Sequence, residues 1–358
     1  MASADKERID GLTGLRAVAA LWVVLYHLRE VGDDRFLDLG PFDTLVRFGF
    51  LGVELFFVLS GFILMHVYRE TFSDSLRGGD WANFLWLRVA RLYPVHLVTL
   101  GMMLALYLAG LTLFKVVPNN AYAYTPVSLL HNLAMTHAWF PGVGSPNTPA
   151  WSISAEWFGY LLFPVLAMAV ARSDRTLQAA MLVLSLVLAQ ALGDAHVLMR
   201  FITAFILGIT LFELSRDRAS ESPLGPAGSL LIAGALVASL YVIGDVVPAL
   251  HVGLFGLLIV ALRTPADWGA RALSRPLMVY LGEVSYSVYM VHWFVWSAVK
   301  RGGPKVGIDP ASPLVQVAAL AGILLLAVAT YHLVEIPGRR WLRRATPAVL
   351  VPRRAQAE

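Results

Sequence analysis

In the stretch RAVAALWVVLYH, Arg16 and His27 stand at the two ends of an apolar run. They are eleven positions apart, which at about 100° per residue is three helical turns plus roughly 20°, so both lie on one face, about 16 Å apart along the axis. A guanidinium there is a permanent cation suited to phosphate, and an imidazole is a base near neutral pH. GVELFFVLSGF carries Glu54 into a second apolar run. A carboxylate inside a membrane helix needs a partner or takes up a proton. Beside His27 it would orient the ring and raise its basicity, as a general base requires. In FLWLRVARLYP, Arg88 and Arg91 are three apart and share a face, and paired guanidiniums give bidentate bonds to phosphate. WSISAEWF sets Ser152 and Glu156 four apart, and SYSVYMVHWF sets Ser285, Tyr289 and His292 along one stripe at helical spacing. Plainer readings stand beside these. Arg16 can snorkel to headgroups, His27 can satisfy a neighbouring carbonyl, and Arg88 and Arg91 can be ordinary membrane anchors. Trp151, Trp157 and Trp293 fit an aromatic belt, and Gly52, Ser60 and Gly61 suit close helix packing.

The elements that must position these groups are membrane helices. Of 358 residues 58% are hydrophobic and 15% charged, against about 25% charged in a soluble domain. The sequence predicts an all-α polytopic bundle with ten spans, at about 12–30, 46–68, 92–114, 151–170, 176–193, 197–215, 228–244, 248–263, 279–300 and 313–335. Pro94 then marks the first turn of the third span. With the N-terminus placed inside, only Arg29, Arg35, Arg47, Lys115, Lys300, Arg301 and Lys305 of the 28 lysines and arginines fall outside, and Arg200 falls within a span. That bias predicts both termini in the cytoplasm. The run FPGVGSPNTPAW, rich in Gly and Pro, predicts irregular structure, a lid or re-entrant loop on the outer face. Residues 1–338 read as one integral membrane domain and 339–358 as a basic cytoplasmic tail. Arg16 interrupts the first run and no small-residue cleavage site ends it, which predicts an uncleaved first helix. The absence of cysteine removes disulfides and thiolate chemistry. His66, His96, His131, His137, His196, His251 and His332 read as structural, without a zinc spacing, so no metal site is expected. The net charge of +4 points to an anionic membrane face and not to nucleic acid.

Six stretches in series, IDGLTGLRAVAALWVVLYH, GVELFFVLSGFIL, FLWLRVARLYPVH, PAWSISAEWFGYLLFP, LGEVSYSVYMVHWF and HLVEIPGRRW, resemble the membrane-bound acyltransferase family 3, the O-acetyltransferases of bacterial surface glycans and their relatives. The resemblance implies about ten spans in a bacterial inner membrane. It also implies a cytoplasmic acyl-coenzyme A co-substrate, acetyl by default, with no permanently bound cofactor. The acceptor it implies is a hydroxyl of a cell-surface or exported carbohydrate. The family's arginine–histidine pair matches Arg16 and His27, the latter as catalytic base oriented by Glu54. Its paired arginines match Arg88 and Arg91, holding the donor with Arg16. Glu54 stands where the family often has Asp, and Thr13 and Gly14 intervene ahead of Leu15 and Arg16. Ser152, Glu156, Tyr289 and His292 fall to the acceptor or oxyanion side. A macrolide-type acceptor suits the same scaffold. In a different class, a proton-coupled transporter would also bury Arg, His and Glu along a polar path, usually with internal repeats that this sequence lacks.

Overall fold

The computed structural model describes residues 8–31, 40–113, 115, 120–192, 196–218 and 224–346. Lys6, Arg35 and the tail beyond Thr346, with Arg353 and Arg354, lie outside the described residues. In chain order the helices are α1 (Asp10–Val31), α2 (Asp43–Arg47), α3 (Gly52–Phe72), α4 (Gly78–Leu113), α5 (Pro126–Leu133), α6 (Trp151–Arg172) and α7 (Arg175–Leu192). There follow α8 (Val197–Ser215), α9 (Gly228–Val242), α10 (Pro248–Leu262), α11 (Trp268–Leu273), α12 (Pro276–Gly302), α13 (Pro313–Thr330) and α14 (Ile336–Arg344). No strand occurs among the described residues. A helix suits a membrane interior because it satisfies its own backbone polar groups.

Eight helical segments among the described residues are long and apolar enough to cross a membrane. The two other expected spans differ for separate reasons. Helix α10 has 15 residues, about 22 Å of axis against a hydrocarbon core of about 30 Å. Helix α12 is long enough at 27 residues, but it carries Glu283, Ser285, Ser287 and His292. Helix α4 begins at Gly78, well before the expected 92, and Pro94 lies inside it instead of opening it. Residues 78–91, outside the expected span, therefore belong to the same continuous helix, which carries Arg88 and Arg91. At the far end of the chain α13 runs through a π-helical turn, Tyr331–Glu335, into α14, so helix persists past the expected end of the last span. Trp86 donates to Leu342 O at 2.9 Å, fastening α14 to α4.

Close helix approach is set by glycine. A Cβ at Gly61 would run into Phe205 O, and one at Gly208 into Val58 O, so α3 and α8 present glycines to each other's backbone. Such small-residue contacts are the usual means of helix association in lipid. Between them and α6 lies an aromatic core that includes Phe57, Phe62, Phe163, Phe201 and Phe205, all buried. Helix α1 packs along α12, which α13 covers on its other side. Exposed apolar residues on α7 and α9, among them Val183, Val187 and Leu231, give these helices a lipid-facing surface.

Candidate active site

Helices α1, α3, α4, α6 and α12 enclose a cavity of about 160 Å³. Arg16, Arg88, Arg91, Ser152, Glu156, Ser285 and Tyr289 line it, with Ser60, Tyr160 and Tyr286, which sequence reasoning had not assigned to a site. Val53, Phe56, Phe57, Ile63 and Ile153 form apolar walls. Most of the sequence-predicted residues are thus brought together.

The three arginines are not equivalent. Arg91 forms an ion pair with Glu335, the last residue of the π-turn, and lies 5.4 Å from the Tyr286 ring centre. Ser287 donates to the other oxygen of Glu335 at 2.7 Å. Arg88 donates to Tyr68 Oη at 3.0 Å and sits over the Tyr68, Phe84 and Tyr160 rings. Among the described residues Arg16 makes no hydrogen bond or ion pair, yet it lines the cavity. A guanidinium so placed keeps its donors for whatever enters.

Across the cavity Glu156 Oε1 accepts from Ser60 Oγ at 2.8 Å and from Tyr160 Oη at 2.6 Å. Ser152 Oγ and Tyr289 Oη lie 2.8 Å apart, and both reach Pro149 O, at 3.1 and 2.8 Å. The Gly/Pro-rich stretch before α6 ends in a short 3-10 turn, Thr148–Ala150, which presents this carbonyl. Asn147 ties the same stretch to α12 by donating to Met290 O at 2.9 Å.

His27 does not line the cavity, although it shares α1 with Arg16. Its Nδ1 lies 3.0 Å from Val23 O and 3.3 Å from Nε2 of His292. His292 is fully buried, with Nδ1 2.5 Å from Tyr289 O. The imidazole ring centres are 5.0 Å apart, and Trp293 stands edge-on at 5.3 Å from His27. Tyr289 joins the two regions, since it lines the cavity and its ring centre is 5.6 Å from that of His292.

Glu54 is not beside His27. It forms an ion pair with Arg200 of α8, and its Oε2 is buried without a partner. The expectation rested on similar depth in neighbouring helices. The glycine contact of α3 with α8 supplies a permanent cation instead, and Arg200 in turn lies 5.5 Å from the Trp151 ring centre. Arg200 had a visible signal, being the one Lys or Arg that the sequence reading left inside a span. Glu335 had a weaker one, inside the HLVEIPGRRW stretch.

Comparison with known proteins gives this geometry its context. The Acyl_transf_3 family, described as an acyltransferase domain, matches residues 9–332. Acyltransferase MdmB of Streptomyces mycarofaciens is 28% identical over 96% of this chain and 95% of its own length. Exopolysaccharide production protein ExoZ of Rhizobium meliloti is 31% identical over 86% of this chain and 95% of its own. Staphylococcus aureus relatives with O-acetyltransferase names are 25% identical over 93% of this chain, which spans 57% of their length. No solved structure matches. A family match over nearly the whole helical bundle, and over every helix that lines the cavity, makes the chain a member of the acyltransferase 3 family, an integral membrane acyltransferase.

Proposed function

We propose that the protein moves an acyl group, acetyl by default, from cytoplasmic acyl-coenzyme A to a hydroxyl of a cell-surface or exported carbohydrate, in a bacterial inner membrane. The observation that carries this reading is Arg16. Among the described residues it forms no ion pair, and it lines a cavity that adjoins the His27–His292 pair through Tyr289. Arg16 and Arg88 hold the anionic donor, while Arg91 acts through the field it shares with Glu335. The apolar walls suit a thioester and exclude water, which strengthens every charge interaction inside. The acceptor hydroxyl is placed beside Tyr289, where the cavity adjoins the His27–His292 pair, and His27 removes its proton as its oxygen attacks the thioester carbon. The new C–O bond forms, the C–S bond breaks, and the sulfur leaves with its electron pair and takes the proton back from His27. As charge develops on the carbonyl oxygen, the Ser152 and Tyr289 hydroxyls turn their protons from Pro149 O toward it. The name of ExoZ supports a polysaccharide acceptor.

Free-thiol release from acetyl-coenzyme A by purified protein, with a carbohydrate acceptor present, tests the reading. His27→Ala is expected to lower turnover by about 10²–10⁴-fold, the usual contribution of a general base. Arg16→Ala is expected to raise the KM for the donor. Undiminished turnover in His27→Ala overturns the mechanism.

A further inference from the structure

We propose that His292 is the positioning residue of His27, the role that a carboxylate fills in many hydrolytic sites; this rests on His27 acting as the base. Glu54, which the sequence offered for that role, is bound to Arg200. Among the described residues, His292 meets the His27 ring across the helix interface, with Nε2 3.3 Å from His27 Nδ1.

The main-chain oxygens beside the two Nδ1 atoms assign a proton to each. His292 Nδ1 faces a main-chain oxygen, Tyr289 O, which only accepts, so Nδ1 carries the proton and Nε2 holds a lone pair. His27 Nδ1 likewise faces Val23 O and that lone pair together, so it carries a proton shared between two acceptors. The basic nitrogen of His27 is then Nε2. When Nε2 takes a proton from the acceptor hydroxyl, the positive charge spreads to Nδ1–H. The His292 lone pair stabilises it there without bringing a second charge into the bundle. A neutral partner suits a low-dielectric interior, where an extra buried carboxylate would need its own counterion. The anchor is rigid, because His292 is fully buried and held by its own helix one turn back.

Two near-isosteric variants separate positioning from packing. His292→Gln puts a carbonyl oxygen near the place of Nε2 and keeps an acceptor for His27. His292→Asn can keep the donation to Tyr289 O but cannot reach His27. Both are assayed for acetyl-coenzyme A thiol release with acceptor, beside wild type and His27→Ala, with thermal unfolding measured in the same detergent. The expected result is a fall in kcat of about 10–100-fold in His292→Asn, by analogy with metal-bound imidazoles that lose an orienting partner. KM values for donor and acceptor stay unchanged, and His292→Gln recovers much of the loss. Equal activity of the Asn variant and wild type, with His27→Ala inactive, overturns the assignment and leaves the base in place. A loss confined to acceptor KM, with Gln no better than Asn, makes His292 a binding residue and also overturns it. If His27→Ala keeps full turnover, the base and its partner fall together. Should His292→Asn fail to fold, a kcat loss in the folded Gln variant as deep as that of His27→Ala counts against the assignment, and retained turnover supports it.

Discussion

Three carboxylates reach the interior around the site, and their partners divide them. Glu54 is held by Arg200 and Glu335 by Arg91, whereas Glu156 accepts hydrogen bonds from two hydroxyls. A buried ion pair adds little net stability, but removing one member leaves an uncompensated charge. Arg200→Ala is therefore expected to destabilise the protein by about 3 kcal/mol, the lower part of the usual range because Arg200 is 29% exposed. Arg200→Ala combined with Glu54→Gln should recover most of that loss. Thermal unfolding of the two variants in one detergent measures the difference, and equal stability of both would remove the pair from the account. At this scale the sequence disclosed residue types well and partners poorly. Arg16, Arg88, Arg91, Ser152, Glu156 and Tyr289 do converge on one cavity, because an ionisable or hydroxyl-bearing side chain in an apolar helix turns away from lipid. The Glu54 partner was not legible. Helical spacing fixes a face within one helix, while the neighbour on that face depends on interhelical contacts such as Gly61 and Gly208.

Element boundaries follow the same logic. Apolar length located most of the helices, but the polar first turns of α4 are invisible to hydropathy, and Pro94 was a misleading start because its ring is accommodated within a long rod. The connection from α5 to α6 was rightly expected to be irregular. It is organised by histidines that the sequence left as structural. His96 and His137 stack with ring centres 6.0 Å apart, their Nε2 atoms bonded to Asn132 O and Ala150 O and their Nδ1 atoms buried without partners. His137 lies outside the spanning helices. Burial, and then the neighbouring His96, push its pKa down to about 4. Above about pH 6.5 the ring is neutral whether folded or unfolded, so stability does not vary with pH there. As pH falls from 6.5 toward 4 the unfolded chain takes the proton first, and stability declines by up to about 3 kcal/mol before levelling off. His137→Gln is expected to flatten that decline. Unfolding measured at pH 7, 6, 5 and 4 checks it, and parallel curves for variant and wild type would assign the acid sensitivity elsewhere.

For the whole molecule, the clustering of basic side chains predicts an orientation. At one end of the bundle Arg69 binds Glu213, Arg172 reaches Ser73 O, Arg175 reaches Asp217 and Arg263 reaches Ser215 O, so the ends of α3, α6, α8 and α10 meet in an arginine-rich layer. The start of α1 and the arginine-bearing part of α4 belong to the same side by chain direction. On the positive-inside rule that layer is expected to face the cytoplasm, the side from which the proposed acyl-coenzyme A donor would reach Arg16. The chain has no cysteine, so single cysteines report orientation without background. Asp174→Cys, between α6 and α7, and Ala345→Cys, just past α14, are expected to resist a membrane-impermeant maleimide in intact spheroplasts and to react after permeabilisation. Pro141→Cys, in the exposed connection before α6, is expected to react in both. The reverse pattern would put Arg16 at the outer face, away from any coenzyme A pool, and donor entry at that end of the cavity would have to be abandoned even if His27 proved essential.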